Sequence, residues 1–229
     1  MTLPILKAPR IGARAIVDDG VIFNAASGRQ SASLQPLVLG HDARIRSGSV
    51  LYAGTRIGNY LETGHHVVIR EENAIGHHVS IWNNTTIDYG CRIGNHVKIH
   101  CNGYIAQYSV LEDGVFLAPG VIFANDLFPG SKESGVVLQG PILEKGVQVG
   151  VNCTILPGVR IGAYSLIGAG SVVTRNIPPR SVVWGNPARL HKQTSDLRWP
   201  KEFNINRKNA LAFFQHHLAG KKVRRNSLA

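Results

Sequence analysis

The chain has 229 residues, of which 44% are hydrophobic and 17% are charged, and its formal net charge is +11. This length suits one large domain or two small ones, and no apolar run approaches the ~20 residues of a membrane span. The N-terminus lacks the pattern of a secretory signal and the three cysteines do not suggest a disulfide framework, so we expect a cytoplasmic protein.

The positive charge is concentrated near the C-terminus. Residues 1–188 hold 15 Lys/Arg and 12 Asp/Glu, a balance of +3, whereas residues 189–229 hold 10 and 2, a balance of +8. A basic tail can bind nucleic acid, remain solvated or lie near phosphates. Because the main body is nearly neutral, we expect no nucleic-acid partner.

In chain order, the first element is a short patch in which Ile11 and Val17 are six residues apart. The stretch 24–38 interrupts it, so we expect an incomplete first coil followed by a loop. From Leu39 to Phe123 a large apolar residue then recurs at every sixth position, and the one polar exception is Thr63. The fifth residue of most hexapeptides is small or β-branched, and the second is often Gly, which suits corners with unusual dihedral angles.

A repeat of six is typical of a parallel β-helix. Each hexapeptide forms one strand and one corner, and three hexapeptides make one coil of a triangular prism. The first residue of each hexapeptide points inward, so residues 18 apart stack directly. We therefore predict that Ile75, Ile93 and Leu111 lie on one face, one above the other.

The repeat breaks after residue 126 and resumes at Leu143. The phase requires 14 inserted residues, approximately 127–142, and we expect this segment to project from the prism. A loop this long in a regular fold is often functional. The second series of inward residues ends at Val173, after which the stretch TRNIPPRSVVWGNPARLHK is expected to leave the coil.

The C-terminal segment has helical spacing of apolar residues at Leu211, Phe214 and Leu218. This spacing predicts one helix of about 14 residues, followed by a basic tail. The predicted domains are therefore a β-helix over 1–192, including the inserted loop 127–142, and a helix with a basic tail over 193–229.

Outward residues form columns along the corners of the predicted prism. One column contains His66, Asn84 and Asn102, and a column on the preceding corner contains His78 and His96. Polar ladders are not needed to pack a prism. They are either a solvated surface with stacked amides or part of a binding cleft, and their convergence just before the break favours the cleft.

The hexapeptides and the Gly-Asn-Pro-Ala-basic ending make residues 11–192 resemble the left-handed β-helix acyltransferases. The left-handed coil comes from this resemblance and is opposite to the usual right-handed crossover. The stretches KIHCNGYIAQYSVLEDGVFLAPG and VFLAPGVIFANDLFP are similar to the branch that N-acetylates nucleotide-linked amino sugars.

The resemblance implies an all-β fold, a left-handed parallel β-helix of hexapeptide repeats with a protruding loop and a short C-terminal α-helix. It implies a homotrimer in which the loop covers a cleft shared with the neighbouring subunit. It also implies acetyl-CoA as co-substrate and a nucleotide-linked amino sugar as acceptor, for surface polysaccharide or glycan synthesis.

The same region is similar to the galactoside and maltose O-acetyltransferases, which carry a catalytic His-Pro at the start of the loop. This chain has Asn125-Asp126-Leu127-Phe128-Pro129 there, without a histidine. A hydroxyl nucleophile needs a general base poised near neutrality, and an amine needs less help. The missing histidine favours an amine acceptor, with a saccharide O-acetyltransferase as the alternative.

Two further hypotheses come from other classes. A carbonic-anhydrase-like metal enzyme would use His78, His96 and His100, but zinc needs three imidazoles that converge on one point, so we predict no metal site. A scaffold or nucleic-acid binder that uses the basic tail leaves the long loop and the GNPAR ending unexplained.

The resemblance places Asn102 beside the acceptor, where its amide could orient the amine or bind the thioester oxygen. His100 is a candidate base, and Asp126 could accept a proton from the amine or hold the root of the loop. Cys101 faces outward beside Asn102 and could act as a nucleophile. Direct transfer from the thioester, however, needs no covalent intermediate. The residues predicted to bind the acceptor are His66, Asn84 and Asn125.

The acyl donor is expected along the C-terminal coils. There the family binds coenzyme A through the backbone of small residues and a basic clamp on its phosphates, which basic side chains suit. The matching residues of this chain are Gly150, Ala163, Gly168, Ala169, Arg175, Pro187, Arg189 and Lys192.

Overall fold

The computed structural model describes residues 8–29, 35–132, 134 and 136–197. Within these residues, short strands follow one another at intervals of six residues and wind into three sheets. Each sheet takes every third strand, so this part of the chain is a triangular prism whose faces we call A, B and C. The architecture is the all-β parallel β-helix expected from the resemblance.

Each coil contributes one strand to each face. Face A contains Arg10–Ile11, Val38–Leu39, Arg56–Ile57, Ala74–Ile75, Arg92–Ile93, Val110–Leu111, Ile142–Leu143 and Arg160–Ile161. Face B contains Ile16–Val17, Arg44–Ile45, Glu62–Thr63, Ser80–Ile81, Lys98–Ile99, Phe116–Leu117, Gln148–Val149, Leu166–Ile167, Ser181–Gly185 and Ala188–Gln193. Face C contains Ile22–Ala25, Val50–Tyr52, Val68–Ile69, Thr86–Ile87, Tyr104–Ile105, Ile122–Phe123, Thr154–Ile155 and Val172–Val173.

The second residue of a typical strand points into the prism and is buried. Ile75 pairs with Ile93 and Ile93 with Leu111, so the predicted stack is confirmed. Full burial of one such side chain is worth about 1.5–3 kcal/mol, which explains why the aliphatic period persists along the chain. Thr63 is tolerated in this core because its hydroxyl accepts a hydrogen bond from the backbone N–H of Arg46 at 3.0 Å.

The corners need a left-handed backbone at the fourth residue of each hexapeptide. Examples are His78 with φ 56° and Gly48 with φ 72°. Asn, Asp, His and Gly adopt this region more readily than other residues. The columns of His and Asn therefore have a backbone cause, which differs from the two explanations predicted from the sequence.

The glycines at the second position serve another purpose. Gly76 has no positive φ, but a Cβ on it would lie 2.8 Å from the carbonyl carbon of Gly94 in the next coil. The expectation that these glycines provide unusual dihedral angles is therefore wrong. They allow the backbones of successive coils to approach closely.

The register confirms the 14-residue insertion. Leu111 pairs with Leu143 and Leu117 with Val149, so these neighbouring coils are 32 residues apart instead of 18. The inserted segment leaves and returns at the corner between faces C and A. Its ends are joined by a hydrogen bond from the backbone N–H of Gln139 to the Asn125 carbonyl, at 2.8 Å.

Two expectations about the ends of the prism are wrong. The first coil is complete, because the strands that contain Ile11, Val17 and Phe23 contribute to all three faces. The chain also stays on the coil after Val173, since Ser181–Gly185 pairs in parallel with face B and then forms an antiparallel hairpin with Ala188–Gln193. The first coil gains backbone hydrogen bonds to the second coil, and the terminal strand gains them to the last coil.

The chain divides into two compact units, Met1–Ser195 and Asp196–Ala229. A short 3-10 helix spans Thr194–Asp196. The predicted terminal α-helix falls within 198–229 and lies outside the described residues. In the described part of the chain, no helix has the length and apolar character needed to cross a membrane.

Candidate active site

The corner between faces B and C carries His66, Asn84 and Asn102. The register pairs Thr63 with Ile81 and Ile81 with Ile99, so the three polar residues that follow these strands occupy successive coils. Their φ angles are 55°, 56° and 60°, and all three are exposed. The structure therefore brings the predicted acceptor-binding and catalytic residues of this corner into one polar ridge that is open to a ligand.

His100 lies two residues before Asn102 and is half-buried. Its backbone carbonyl accepts a hydrogen bond from the Thr85 hydroxyl at 2.9 Å, and its ring centroid is 5.1 Å from that of Phe116. Burial, followed by the positive charge of Lys98, lowers the pKa of His100 below its ordinary value of 6.5. The imidazole is therefore neutral at pH 7 and has a lone pair that can accept a proton.

Asp126 and Asn125 form the root of the inserted loop. Asp126 accepts hydrogen bonds from the Phe128 backbone N–H at 2.9 Å and from the Ser134 hydroxyl at 2.5 Å. The Asn125 amide donates to Gln107 Oε1 at 2.5 Å, in the coil below. Of the two roles considered for Asp126, these contacts support the structural one.

The loop root and the polar ridge lie at different corners of one chain. Asp126 follows a strand of face C, whereas His100 and Asn102 follow a strand of face B. The predicted catalytic residues are therefore not brought together within a single prism.

Three of the predicted donor-binding residues share the corner between faces B and C at the C-terminal end. A Cβ on Gly150 would lie 2.6 Å from the backbone N of Ala169, and a Cβ on Gly168 would lie 2.8 Å from the Trp184 Cβ. The glycines are thus needed to pack the coils. Ala169 is exposed, so its small side chain leaves the backbone accessible to a ligand.

The other predicted donor residues are distributed differently. Ala163 lies at the corner between faces A and B, where its N–H donates to Glu144 Oε2 at 3.0 Å. Arg175 is exposed at the corner between faces C and A. Pro187, Arg189 and Lys192 belong to the terminal hairpin on face B. One chain therefore does not collect all of them at a single site.

Two aromatic residues of the hairpin were not among the site residues predicted from the sequence. The rings of Trp184 and His191 stack with a centroid distance of 3.5 Å and an interplanar angle of 4°. The Lys192 ammonium lies 6.0 Å from the Trp184 ring centroid. Both aromatic residues stand in the stretch VVWGNPARLHK, but only the antiparallel pairing across its turn shows that they meet.

The histidines considered for zinc do not converge. The rings of His78 and His96 stack with centroids 4.9 Å apart and an interplanar angle of 4°, so they lie parallel along the corner between faces A and B. His100 lies beyond the next strand, towards another corner. Within the described ranges, no group of three His, Cys, Asp or Glu side chains is placed to hold a metal ion.

Known proteins share the repeat and parts of the sequence. Residues 140–175 match the family model described as bacterial transferase hexapeptide (six repeats). A serine acetyltransferase from Buchnera aphidicola is 29% identical over 129 residues, which cover 52% of this chain and 47% of that protein. A dTDP-3-amino-3,6-dideoxy-alpha-D-galactopyranose 3-N-acetyltransferase from Aneurinibacillus thermoaerophilus is 51% identical over 49 residues, which cover 21% of this chain and 26% of that protein.

The chain thus matches about half or less of the length of these curated relatives. A solved structure of a candidate acetyltransferase from Bacillus cereus aligns with a TM-score of 0.50 at 22% identity, over 75% of this chain and 91% of that one. This likeness shows a common fold. By its repeats, its coil and the match over residues 140–175, the chain is similar to the hexapeptide-repeat transferases.

Proposed function

We propose that the protein is an acetyl-CoA-dependent acyltransferase that acetylates the amine of a nucleotide-linked amino sugar, for surface polysaccharide or glycan synthesis. The observation that carries this proposal is the 51% identity over 49 residues to an N-acetyltransferase of a dTDP-linked amino sugar. The serine acetyltransferase relative supports the acetyl group and hence acetyl-CoA as donor. The proposal includes a cytoplasmic location.

The polar ridge suggests how the transfer proceeds. The amine lone pair attacks the thioester carbon, and the Asn102 amide donates a hydrogen bond to the oxygen on which negative charge develops. Neutral His100 accepts the proton that the amine loses, and the C–S bond breaks to release the CoA thiolate. Holding thioester and amine side by side supplies much of the rate enhancement.

A second copy of the chain is needed to place the loop over this ridge, because Asp126 and Asn102 lie at different corners. We therefore propose a homotrimer. Face C is suited to contact between copies, since the outward side chain of every strand in it is uncharged: Ile22, Val50, Val68, Thr86, Tyr104, Ile122, Thr154 and Val172. Largely aliphatic surfaces commonly mark protein interfaces.

The assembly is tested by light scattering. The wild type should have three times the chain mass of 24.8 kDa. Ile122→Glu, a change to an exposed residue of face C, should yield monomers, whereas Arg44→Glu on face B should not. A monomeric wild type would contradict the shared cleft.

The donor is proposed to lie against Gly150, Gly168 and Ala169, with Arg189 and Lys192 beside its phosphates. In a trimer, Ala163 and Arg175 would meet the donor only from a neighbouring copy, since they lie at other corners. Changing Arg189 and Lys192 to Ala should weaken binding of CoA more than of dephospho-CoA, measured by calorimetry. Equal losses would place these residues away from the terminal phosphate.

A saccharide O-acetyltransferase is the second candidate, because neutral His100 could supply the base that a hydroxyl nucleophile needs. The two functions are separated by competition. A nucleotide-linked amino sugar and its hydroxy analogue are mixed at equal concentration with acetyl-CoA, and the products are followed by mass spectrometry. Faster acetylation of the amine supports the proposal, and faster acetylation of the hydroxyl overturns it in favour of the second candidate.

A further inference from the structure

Face A carries a groove of about 710 Å³ along the outside of the prism, between Arg56 and Lys145. Its floor consists of small and aliphatic residues such as Ala74 and Val110 and of second-position glycines. Arg56 and Arg92 stand out on this floor because both are charged and exposed. The transfer mechanism uses none of these residues.

The two arginines of the groove are unpaired. Among residues 8–29, 35–132, 134 and 136–197, neither the Arg56 nor the Arg92 guanidinium has a hydrogen-bond or ion-pair partner. Some other arginines of the prism are paired, since Arg14 contacts Asp42 at 2.6 Å and Arg70 contacts Asp88 at 3.0 Å. The positive charge of the groove is thus available to a ligand.

The acidic residues at the end of the groove are already occupied. Glu112 accepts a hydrogen bond from the backbone N–H of Lys145 at 2.9 Å. Asp113 accepts one from the backbone N–H of Asn95 at 2.6 Å. These carboxylates stabilise the corner turns, and neither is paired with Arg56 or Arg92.

Ala74 lies between the two arginines. It pairs with Arg56 on one side and with Arg92 on the other, so the two arginine Cα atoms are two strand spacings, roughly 10 Å, apart. The small side chain of Ala74 leaves open the space into which both guanidinium groups can turn. Two planar guanidinium groups that point into the same space are suited to a phosphate or diphosphate, because each can bind its oxygens in a bidentate manner.

A column of stacked rings ends beside this pair. Tyr60 and His78 stack with centroids 4.4 Å apart, and His78 and His96 with centroids 4.9 Å apart. The next residue of the column is Gly114, where a Cβ would meet nothing nearer than the Gly146 Cα at 4.0 Å. The exposed His96 ring, in the same coil as Arg92, therefore has no side chain of its own column above it, and a planar heterocycle can extend the stack.

We infer that face A binds a nucleoside diphosphate, with the diphosphate between Arg56 and Arg92 and the base stacked on His96. This chemistry is shared by a sugar-linked nucleotide and by the diphosphate half of coenzyme A. The inference concerns binding and does not depend on acetyl transfer.

The test measures binding by calorimetry with inorganic pyrophosphate, UDP and CoA as probes. Arg92→Gln should lower the affinity for UDP and pyrophosphate by roughly tenfold or more, since a charge-assisted contact is lost. His96→Gly, which keeps the corner backbone free of strain, should lower the affinity for UDP about fivefold or more and leave pyrophosphate unchanged. Arg44→Gln, at an exposed arginine on face B, is the matched control and should change neither.

A fourth variant tests the geometry without altering the charge. Ala74→Leu should weaken UDP and pyrophosphate binding by filling the space between the arginines, with the melting temperature confirming that the prism is intact. The inference is overturned if the wild type fails to bind UDP, if Ala74→Leu binds UDP like the wild type, or if Arg44→Gln weakens binding as much as Arg92→Gln. A CoA affinity that falls in Arg92→Gln assigns the site to the donor, and an unchanged CoA affinity beside a weakened UDP affinity assigns it to a sugar nucleotide.

Discussion

Arg29 and Glu71 form an ion pair of 2.7 Å that ties the segment after the first coil to the corner between faces C and A. The Glu71 side chain is 1% exposed and also accepts a hydrogen bond from the Ser27 hydroxyl at 2.7 Å. The Arg29 guanidinium lies 3.7 Å from the centroid of the Tyr89 ring. The segment after the first coil is thus held to this corner through a buried carboxylate that accepts hydrogen bonds from Ser27, Arg29 and Arg70.

Removing this carboxylate should destabilise the protein. Glu71→Gln is expected to lower the free energy of unfolding by roughly 3 kcal/mol, because the half-buried Arg29 and Arg70 lose their counter-charge. Glu72→Gln is the control, since Glu72 also pairs with Arg29 but is 32% exposed, and it should cost less than about 1 kcal/mol. Urea unfolding followed by circular dichroism measures both, and equal losses would contradict the role of burial.

The same carboxylate should make stability depend on pH. Burial raises the pKa of Glu71, but hydrogen bonds from Ser27, its own backbone, Arg29 and Arg70 outweigh this and leave the pKa lowered. A lowered folded-state pKa gives stability that is complete above the ordinary glutamate value of about 4.3 and is lost as the pH falls through the folded-state value. The stability difference between wild type and Glu71→Gln should therefore shrink below about pH 4. A difference that is constant down to pH 3 would show that the charge is not responsible.

The second-position glycines should resist substitution. Gly76→Ala would place a Cβ 2.8 Å from the backbone of the next coil, so we expect a loss of about 1–3 kcal/mol. Gly20→Asn is the matched control, because Gly20 has φ +76° with nothing within 4 Å of its Cβ position, and Asn tolerates this conformation. Thermal unfolding should show a clear decrease only for Gly76→Ala.

The amide of Asn102 is best removed by Asn102→Gly. Glycine occupies the same corner column in other coils and suits a φ of 60°, so the change removes the hydrogen-bond donor without straining the backbone. We expect kcat to fall roughly 100-fold with acetyl-CoA binding unchanged. Asn152→Gly, at φ 54° on the same corner, should retain its rate. Equal activity of the two variants would remove Asn102 from the mechanism.

The positive charge of Lys98 should affect the pH dependence of kcat/KM. If His100 is the base, kcat/KM falls as the pH drops through its pKa, which burial and Lys98 place below 6.5. Lys98→Met removes a positive charge that disfavours the imidazolium, so the acidic limb should move to higher pH. The same displacement in a His100→Asn background would show that another group titrates.

Between Leu39 and Val173, the inward direction of the repeating aliphatic side chains could be predicted from the sequence. Hydrogen bonds between coils hold a constant register, so a period of six places Ile75 beneath Ile93 and reveals the 14-residue insertion by its phase. The resemblance, carried by motifs such as GNPAR, indicated a similarity to the left-handed β-helix acyltransferases. Predicting these features requires no information about contacts outside the repeat.

Contacts among outward residues were decided only by the tertiary structure. The repeat predicts that Asp126 and Asn102 face outward. The path of the coil shows that they lie at different corners. The stack of Trp184 on His191 depends on an antiparallel turn, and the burial of Glu71 depends on the segment that carries Arg29. The period describes a repeating backbone, whereas these contacts arise where inserted and terminal segments leave the repeat and fold back on it.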